Sequence, residues 1–349
     1  MLICYVTHGD YEMNIMQPAL VFDMETIPCL ETARNLLPEL ALLDDDAATE
    51  RLLELTKEQT GKEFLKLPLH KIACISFLWL ENDIPRLKTF SLRDMDEETI
   101  VRRFIDAFAK NPTLISWNGQ GFDLPVLLYR ATKYGIDASR IFGMGDYRND
   151  YIYKFTTKHI DLMDKYGFGS WGNKQSLNTV AALCGIAGKG DVEGSQVLPM
   201  VQAGEWEKLI TYCESDVLNT WLLYIRYLQL SGHLQPVEAQ VYIADTLNAI
   251  KSIKNSDGLV RHERFLQGYQ NAPQGNTDDS TAISETNSEP TKQEEQQTPS
   301  DDGSVDAVLP EKENLIEKNK LLNPFGDSEQ EKPKAKRGRK PKSQAEQET

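Results

Sequence analysis

The chain has 349 residues, 40% of them hydrophobic, enough for one large domain or two small ones with a packed core. No apolar run reaches the roughly 18 residues of a membrane span, and the N-terminus lacks the charged-then-apolar layout of a signal peptide. The net charge of −15 argues against a nucleic-acid binder, but its distribution softens the objection.

Residues 1–270 carry 27 basic against 36 acidic side chains, residues 271–330 carry 4 against 14, and residues 331–349 carry 7 against 3. Part of the acidity of the first segment is of the kind that a bound cation would offset. The five cysteines (Cys4, Cys29, Cys74, Cys184, Cys213) form no close pair, so neither a zinc site nor a disulfide framework is expected, and a reducing cytoplasm is the default.

Residues 1–17 form an N-terminal extension with no assigned role, in which Met13 and Met16 are alternative starts. ALVFDMET (19–26) is an apolar run of strand formers, followed by a long insertion over 27–69 that is partly helical around 49–60. Residues 71–80 and 86–91 read as two strands joined by a turn at Glu81-Asn82-Asp83. Asp96 caps a helix with Ile100, Phe104, Ile105 and Phe108 on one face. A strand over 114–117 precedes a helix over 122–134, where Pro125 is tolerated in the first turn. A short strand over 157–162 follows, then helices over 176–185, 205–230 and 236–252, the first two closed by Gly185 and by Ser231-Gly232. The main domain is expected over 18–252, with a boundary segment over 253–270. Residues 271–349 are polar and Pro/Gly/Ser-rich and are expected to be disordered, because they cannot bury enough apolar area to offset chain entropy.

Three short segments carry chemistry. Asp23 and Glu25 stand two apart on the first strand and so share a face, where two like charges favour a cation between them. The D-x-E pattern recurs at Asp10/Glu12, Asp96/Glu98, Asp191/Glu193 and Asp327/Glu329, so the context directly after an apolar strand is what distinguishes this pair. Trp117-Asn118-Gly119-Gln120-Gly121-Phe122-Asp123 runs from strand end through a two-glycine loop into a helix, where an Asp in the first turn is also favoured by the helix dipole. Tyr212 and Asp216 lie at i and i+4 of the long helix, on one face. An Asp among Leu209, Ile210, Val217 and Leu218 is locally unfavourable unless it has a task.

In this order, F-D-x-E-T, N-x-x-x-F-D and Y-x-x-x-D resemble the three exonuclease motifs of the DEDD superfamily in its tyrosine variety. The likeness is to stand-alone bacterial proteins described as predicted 3′–5′ exonucleases related to the proofreading domain of B-family DNA polymerases. It covers about residues 18–230 and extends to LHKIACIS, HIDLMD, CGIAGKGDVEGS and YCESDVLNTWLLYIR. No polymerase module is expected in the chain.

The resemblance implies an α/β, ribonuclease H-like fold, a central mixed sheet flanked by helices. It implies two divalent metal ions, Mg²⁺ or Mn²⁺, with Asp23 bridging them, Glu25, Asp123 and Asp216 completing their shells, and Tyr212 positioning the attacking water. Phosphodiester cleavage needs a hydroxide near neutral pH and charge neutralisation on the leaving oxygen, which two hard cations roughly 4 Å apart supply. The expected substrate is single-stranded nucleic acid with a 3′ end, DNA ahead of RNA. A catalytically silent nucleic-acid-binding module and a phosphohydrolase of small nucleotides are the competing readings.

Other residues are weaker candidates. Asn118 either contacts substrate or holds the Gly119–Gly121 loop. His159 and Asp161 are expected to support the site, with His159 a candidate for substrate contact. Lys189 is a candidate phosphate contact, whereas Lys174 and Trp117 are better read as solvated surface and core. The segment KPKAKRGRKPK (332–342), with Lys336, Arg337, Gly338, Arg339 and Lys340, resembles an AT-hook, although Lys340 separates the Arg-Gly-Arg core from Pro341. A generic basic tail gripping the phosphates of duplex DNA fits it equally well. Leu315, Ile316, Leu321, Leu322 and Phe325 form an apolar island that is either a partner-docking motif or a helical turn.

Overall fold

The computed structural model describes residue 15 and residues 18–186 and 194–271; the rest of the extension, Lys189 and the tail's basic and apolar segments lie outside them. In chain order the strands are β1 (Ala19–Pro28), β2 (His70–Glu81), β3 (Ile84–Ser91), β4 (Thr113–Ser116) and β5 (His159–Asp161). The helices are α1 (Leu30–Leu36), α2 (Asp45–Thr60), α3 (Glu97–Asp106), α4 (Asp123–Tyr134), α5 (Leu162–Lys165), α6 (Leu177–Leu183), α7 (Val197–Gln202), α8 (Trp206–Leu230), α9 (Pro236–Lys251) and α10 (Glu263–Asn271). None is long and apolar enough to cross a membrane.

The sheet order is β3-β2-β1-β4-β5. β1, β2 and β3 run antiparallel in succession, and β4 and β5 lie parallel to β1 and to each other. The β2–β3 connection is the turn that Asn82-Asp83 predicts. Both residues have positive φ (53° and 59°), the two-residue I′ geometry whose twist matches the strands, and Glu81 pairs directly with Ile84. This mixed 3-2-1-4-5 sheet between helices is the ribonuclease H-like fold that the sequence motifs imply.

Alternation along β1 decides what each face meets. Leu20, Phe22 and Met24 pack with Ile100 and Phe104 of α3 and with Leu124 and Leu127 of α4. Ala19 and Val21 pack on the opposite face with Val217, Trp221 and Leu222 of α8. A period of two therefore carries Asp23 and Glu25 onto the face covered by α8.

The insertion is more ordered than its sequence suggests. Asp44 accepts from the Ala47 N–H and starts α2 four residues before the expected helical stretch. Ala33, Leu40, Ala48, Leu52, Leu65 and Leu69 make a small core of their own, and the Cys29 N–H donates to the Leu69 carbonyl at 2.7 Å, closing the excursion at its base. Asp96 caps α3 as expected, accepting from the Thr99 N–H at 2.8 Å.

Residues 253–270, expected as a boundary segment, instead add α10 to the layer built by α8 and α9. Phe265 and Leu266 are buried in the same cluster as Trp221 and Tyr242. Polar spacing in RHERFLQGY hides this, because only two apolar side chains are needed to close the end of the layer.

Candidate active site

The three chemical segments converge. The carboxylate of Asp123, at the first position of α4, accepts from the Met24 N–H at 3.1 Å, which ties the helix start between Asp23 and Glu25. Across the sheet face, the Cys213 thiol lies 3.5 Å from the Asp23 carbonyl and 3.8 Å from Asp23 Oδ2, docking the middle of α8 against β1. Tyr212 and Asp216 flank that cysteine on α8, 5% and 1% exposed. Asp23, Glu25, Asn118, Asp123, Tyr212 and Asp216 thus line one cleft of about 430 Å³, with Trp117, Phe122, Met163 and Ser176–Asn178 on its walls.

The loop that delivers Asp123 is built by close contacts. A Cβ on Gly119 would stand 2.4 Å from Ser116 Oγ and 2.6 Å from Ser116 Cβ, so only glycine fits there, and one on Gly121 would displace the Asn118 amide, 2.6 Å from its Oδ1. Asn118 adopts φ +62°, a left-handed conformation that Asn tolerates. Asp161 holds the loop from β5, accepting from the N–H groups of Asn118 (2.9 Å), Gln120 (3.0 Å) and Met163 (3.1 Å). Burial nevertheless pushes the Asp161 carboxyl above its usual range, against the pull of those backbone donors.

His159 stands behind this loop and does not line the cleft; it is 2% exposed. Its Nδ1 is 3.3 Å from the Tyr151 carbonyl, which can only accept, so Nδ1 carries the proton and Nε2 accepts from Ser116 Oγ at 2.8 Å. Ser116 Oγ in turn accepts from the Gly119 N–H at 3.2 Å. This arrangement needs a neutral imidazole, and burial lowers His159 to about 4. Asn118 lines the cleft, and its side chain also lies against Gly121 within the loop.

The two acidic residues near the centre of α8 diverge. Glu214 is buried away from the cleft, accepting from Thr89 Oγ1 at 2.8 Å, with Arg261 Nη1 at 3.2 Å and His262 Nε2 at 3.0 Å. Burial works to raise its pKa, but His262, Arg261 and Thr89 together hold it below the usual range. The final segment is thereby locked onto the helix that carries Tyr212 and Asp216. Sequence gave no hint of this role for Glu214, because its partner lies 47 residues on.

The donor chemistry suits a hard divalent cation. Asp23, Glu25 and Cys213 each bring one ligand atom within 4.8 Å of the others. Burial, Cys74 and the two carboxylates push the Cys213 thiol well above its ordinary range, so it stays protonated and oxygen is the donor on offer.

A carboxylate-lined cleft thus stands at the junction of β1, the start of α4 and the middle of α8, on one face of a ribonuclease H-like sheet. The chain belongs to the family of predicted 3′–5′ exonucleases related to the exonuclease domain of PolB, which its residues 62–269 match. The match includes Asp123, Tyr212, Asp216 and most of α10, while Asp23 and Glu25 precede it. Among curated proteins, DNA polymerase 1 of Sulfurisphaera ohwakuensis is 28% identical over 170 residues, 46% of this chain and 17% of the polymerase. Among solved structures, the family B DNA polymerase of Pyrobaculum calidifontis is similar over 67% of this chain and 28% of its own, at 17% identity and a TM-score of 0.38. The chain thus spans well under a third of either polymerase.

Proposed function

We propose that the chain removes nucleotides from the 3′ end of single-stranded nucleic acid, DNA ahead of RNA, with two divalent metal ions, Mg²⁺ or Mn²⁺. The observation that carries this reading is the convergence of Asp23, Glu25, Asp123, Asp216 and Tyr212, from three distant stretches of sequence, on one cleft.

Asp23, Glu25, Asp123 and Asp216 would hold the ions. When bound, the ions lower the pKa of a water and neutralise charge on the leaving oxygen. The residues themselves supply the rest. The Met24 N–H fixes the Asp123 carboxylate, and the Asp161-anchored loop fixes the start of its helix. The Tyr212 hydroxyl can donate to or accept from a water without competing strongly for a hard cation, so it orients the nucleophile. Trp117, Phe122 and Leu177 give the cleft apolar walls that limit bulk water around the scissile phosphate.

The test is to incubate end-labelled single-stranded DNA and RNA with the protein in Mn²⁺ or in EDTA. The proposal expects stepwise shortening that EDTA abolishes and that is faster on DNA. Degradation that survives chelation would overturn it.

A further inference from the structure

The loop between α5 and α6 sits beside this cleft and presents aromatic rings to solvent. Met163 on one side of the loop and Ser176–Asn178 on the other line the cleft. Between them Phe168 is 67% and Trp171 78% exposed, although large rings of this kind are ordinarily well covered. The remaining four tryptophans are buried or half-buried, so Trp171 stands apart.

The rings are held, not loose. Trp117 on the cleft wall lies 5.9 Å from Tyr166, and Tyr166 lies 6.1 Å edge-on to Phe168, so an aromatic series runs from the cleft to the surface. Phe168 adopts φ +46°, a backbone conformation a bulky residue takes only when its surroundings impose it. Lys174 Nζ sits 3.6 Å from the centroid of the Trp171 ring and is paired with Asp164, which fixes the ring and puts a cation beside it.

We infer that Trp171 and Phe168 form a stacking platform for bases of a nucleic-acid strand whose 3′ end lies in the cleft, with Lys174 beside the strand. Solvent-exposed rings, one of them backed on one face by a lysine that holds it in place, in the loop between two walls of the cleft match the chemistry of a single strand, whose unpaired bases stack on any aromatic surface without sequence preference. A protein partner would instead meet a patch interrupted by Gly167, Gly169 and Gly172, with little contiguous apolar surface.

The inference rests on the exonuclease reading, and its test separates the two. The full chain and its Trp171→Leu, Trp171→Phe and Phe168→Leu variants are assayed on a single-stranded oligonucleotide and on a dinucleotide. Trp171→Leu should raise KM for the oligonucleotide about tenfold, roughly 1.4 kcal/mol, with kcat and dinucleotide turnover unchanged. Trp171→Phe, which keeps a ring, should recover most of the loss. An unchanged oligonucleotide KM, or an equal loss on both substrates, would overturn the platform. Should the parent cut neither substrate, the exonuclease reading fails, and the platform is judged by fluorescence in EDTA. There the oligonucleotide should quench the parent's tryptophan emission but not that of Trp171→Leu. Equal quenching in both proteins would overturn it.

Discussion

Neutralising Asp23 should stabilise the metal-free protein and destabilise it, relative to the parent, once metal is present. The ligand atoms of Asp23 and Glu25 lie within 4.8 Å. At an effective dielectric of about 20, two like charges at that distance cost about 3 kcal/mol, and screening with side-chain relaxation reduces this to about 1 kcal/mol. For a domain of this size that is a rise of roughly 2–4 °C in Tm on Asp23→Asn in EDTA. In metal at about a hundred times Kd, the parent gains about 2.7 kcal/mol and the variant far less, so the order of melting reverses. Asp161→Asn is the internal control. It leaves one of the three backbone N–H groups on Asp161 facing an amide, at about 1–3 kcal/mol, and should melt below the parent in either condition. Thermal melts at pH 8 with EDTA or Mn²⁺ read both. If Asp23→Asn falls below the parent in EDTA as Asp161→Asn does, the crowded acidic site is wrong.

Three further outcomes are expected. His159 is lowered to about 4, below its unfolded value near 6.5, so its contribution is complete above pH 6.5 and is lost as pH falls from there towards 4. The loss amounts to about 3 kcal/mol, and the slope of stability against pH in that window should flatten in His159→Gln; an unchanged slope would remove His159 as its source. Tyr212→Phe should slow turnover with metal affinity retained, whereas Asp216→Asn should lose both; equal calorimetric losses would contradict the separate roles. Removing residues 272–349, with the seven cations of 332–342, should make the salt dependence of duplex binding shallower and leave turnover on short oligonucleotides intact. An unchanged slope would mean that the tail does not touch DNA.

The sequence made local structure legible wherever one pattern dominated. Alternation in β1 put Asp23 and Glu25 on one face, the Asn82-Asp83 turn set the β2–β3 pairing, and the spacing of Tyr212 and Asp216 gave their common side of α8. What stayed hidden depends on partners far along the chain. Glu97 looks like an ordinary first-turn acid of α3. In the fold it is 3% exposed and binds Arg130 of α4, the Tyr134 hydroxyl and the Ile72 N–H, joining two helices to the sheet. Burial of such a pair is worth little without its full set of hydrogen bonds, and those are set by packing, which no short pattern encodes. Lys174 shows the same limit: it reads as a solvated lysine, yet it stacks on Trp171. His159 reads as a site residue because its strand comes close to the site in chain order, but its ring is buried behind the loop against Ser116 and Tyr151, partners that only the packed fold supplies.

The most direct test of one metal-dependent site built from β1, α4 and α8 follows 5′-labelled single strands, with a free or a blocked 3′ end, through a time course in Mg²⁺. The parent should shorten the free strand from its 3′ end, release nucleoside 5′-monophosphates and spare the blocked strand, while Asp216→Asn should leave both intact. Rapid loss of the blocked strand, or undiminished digestion by Asp216→Asn, would contradict it.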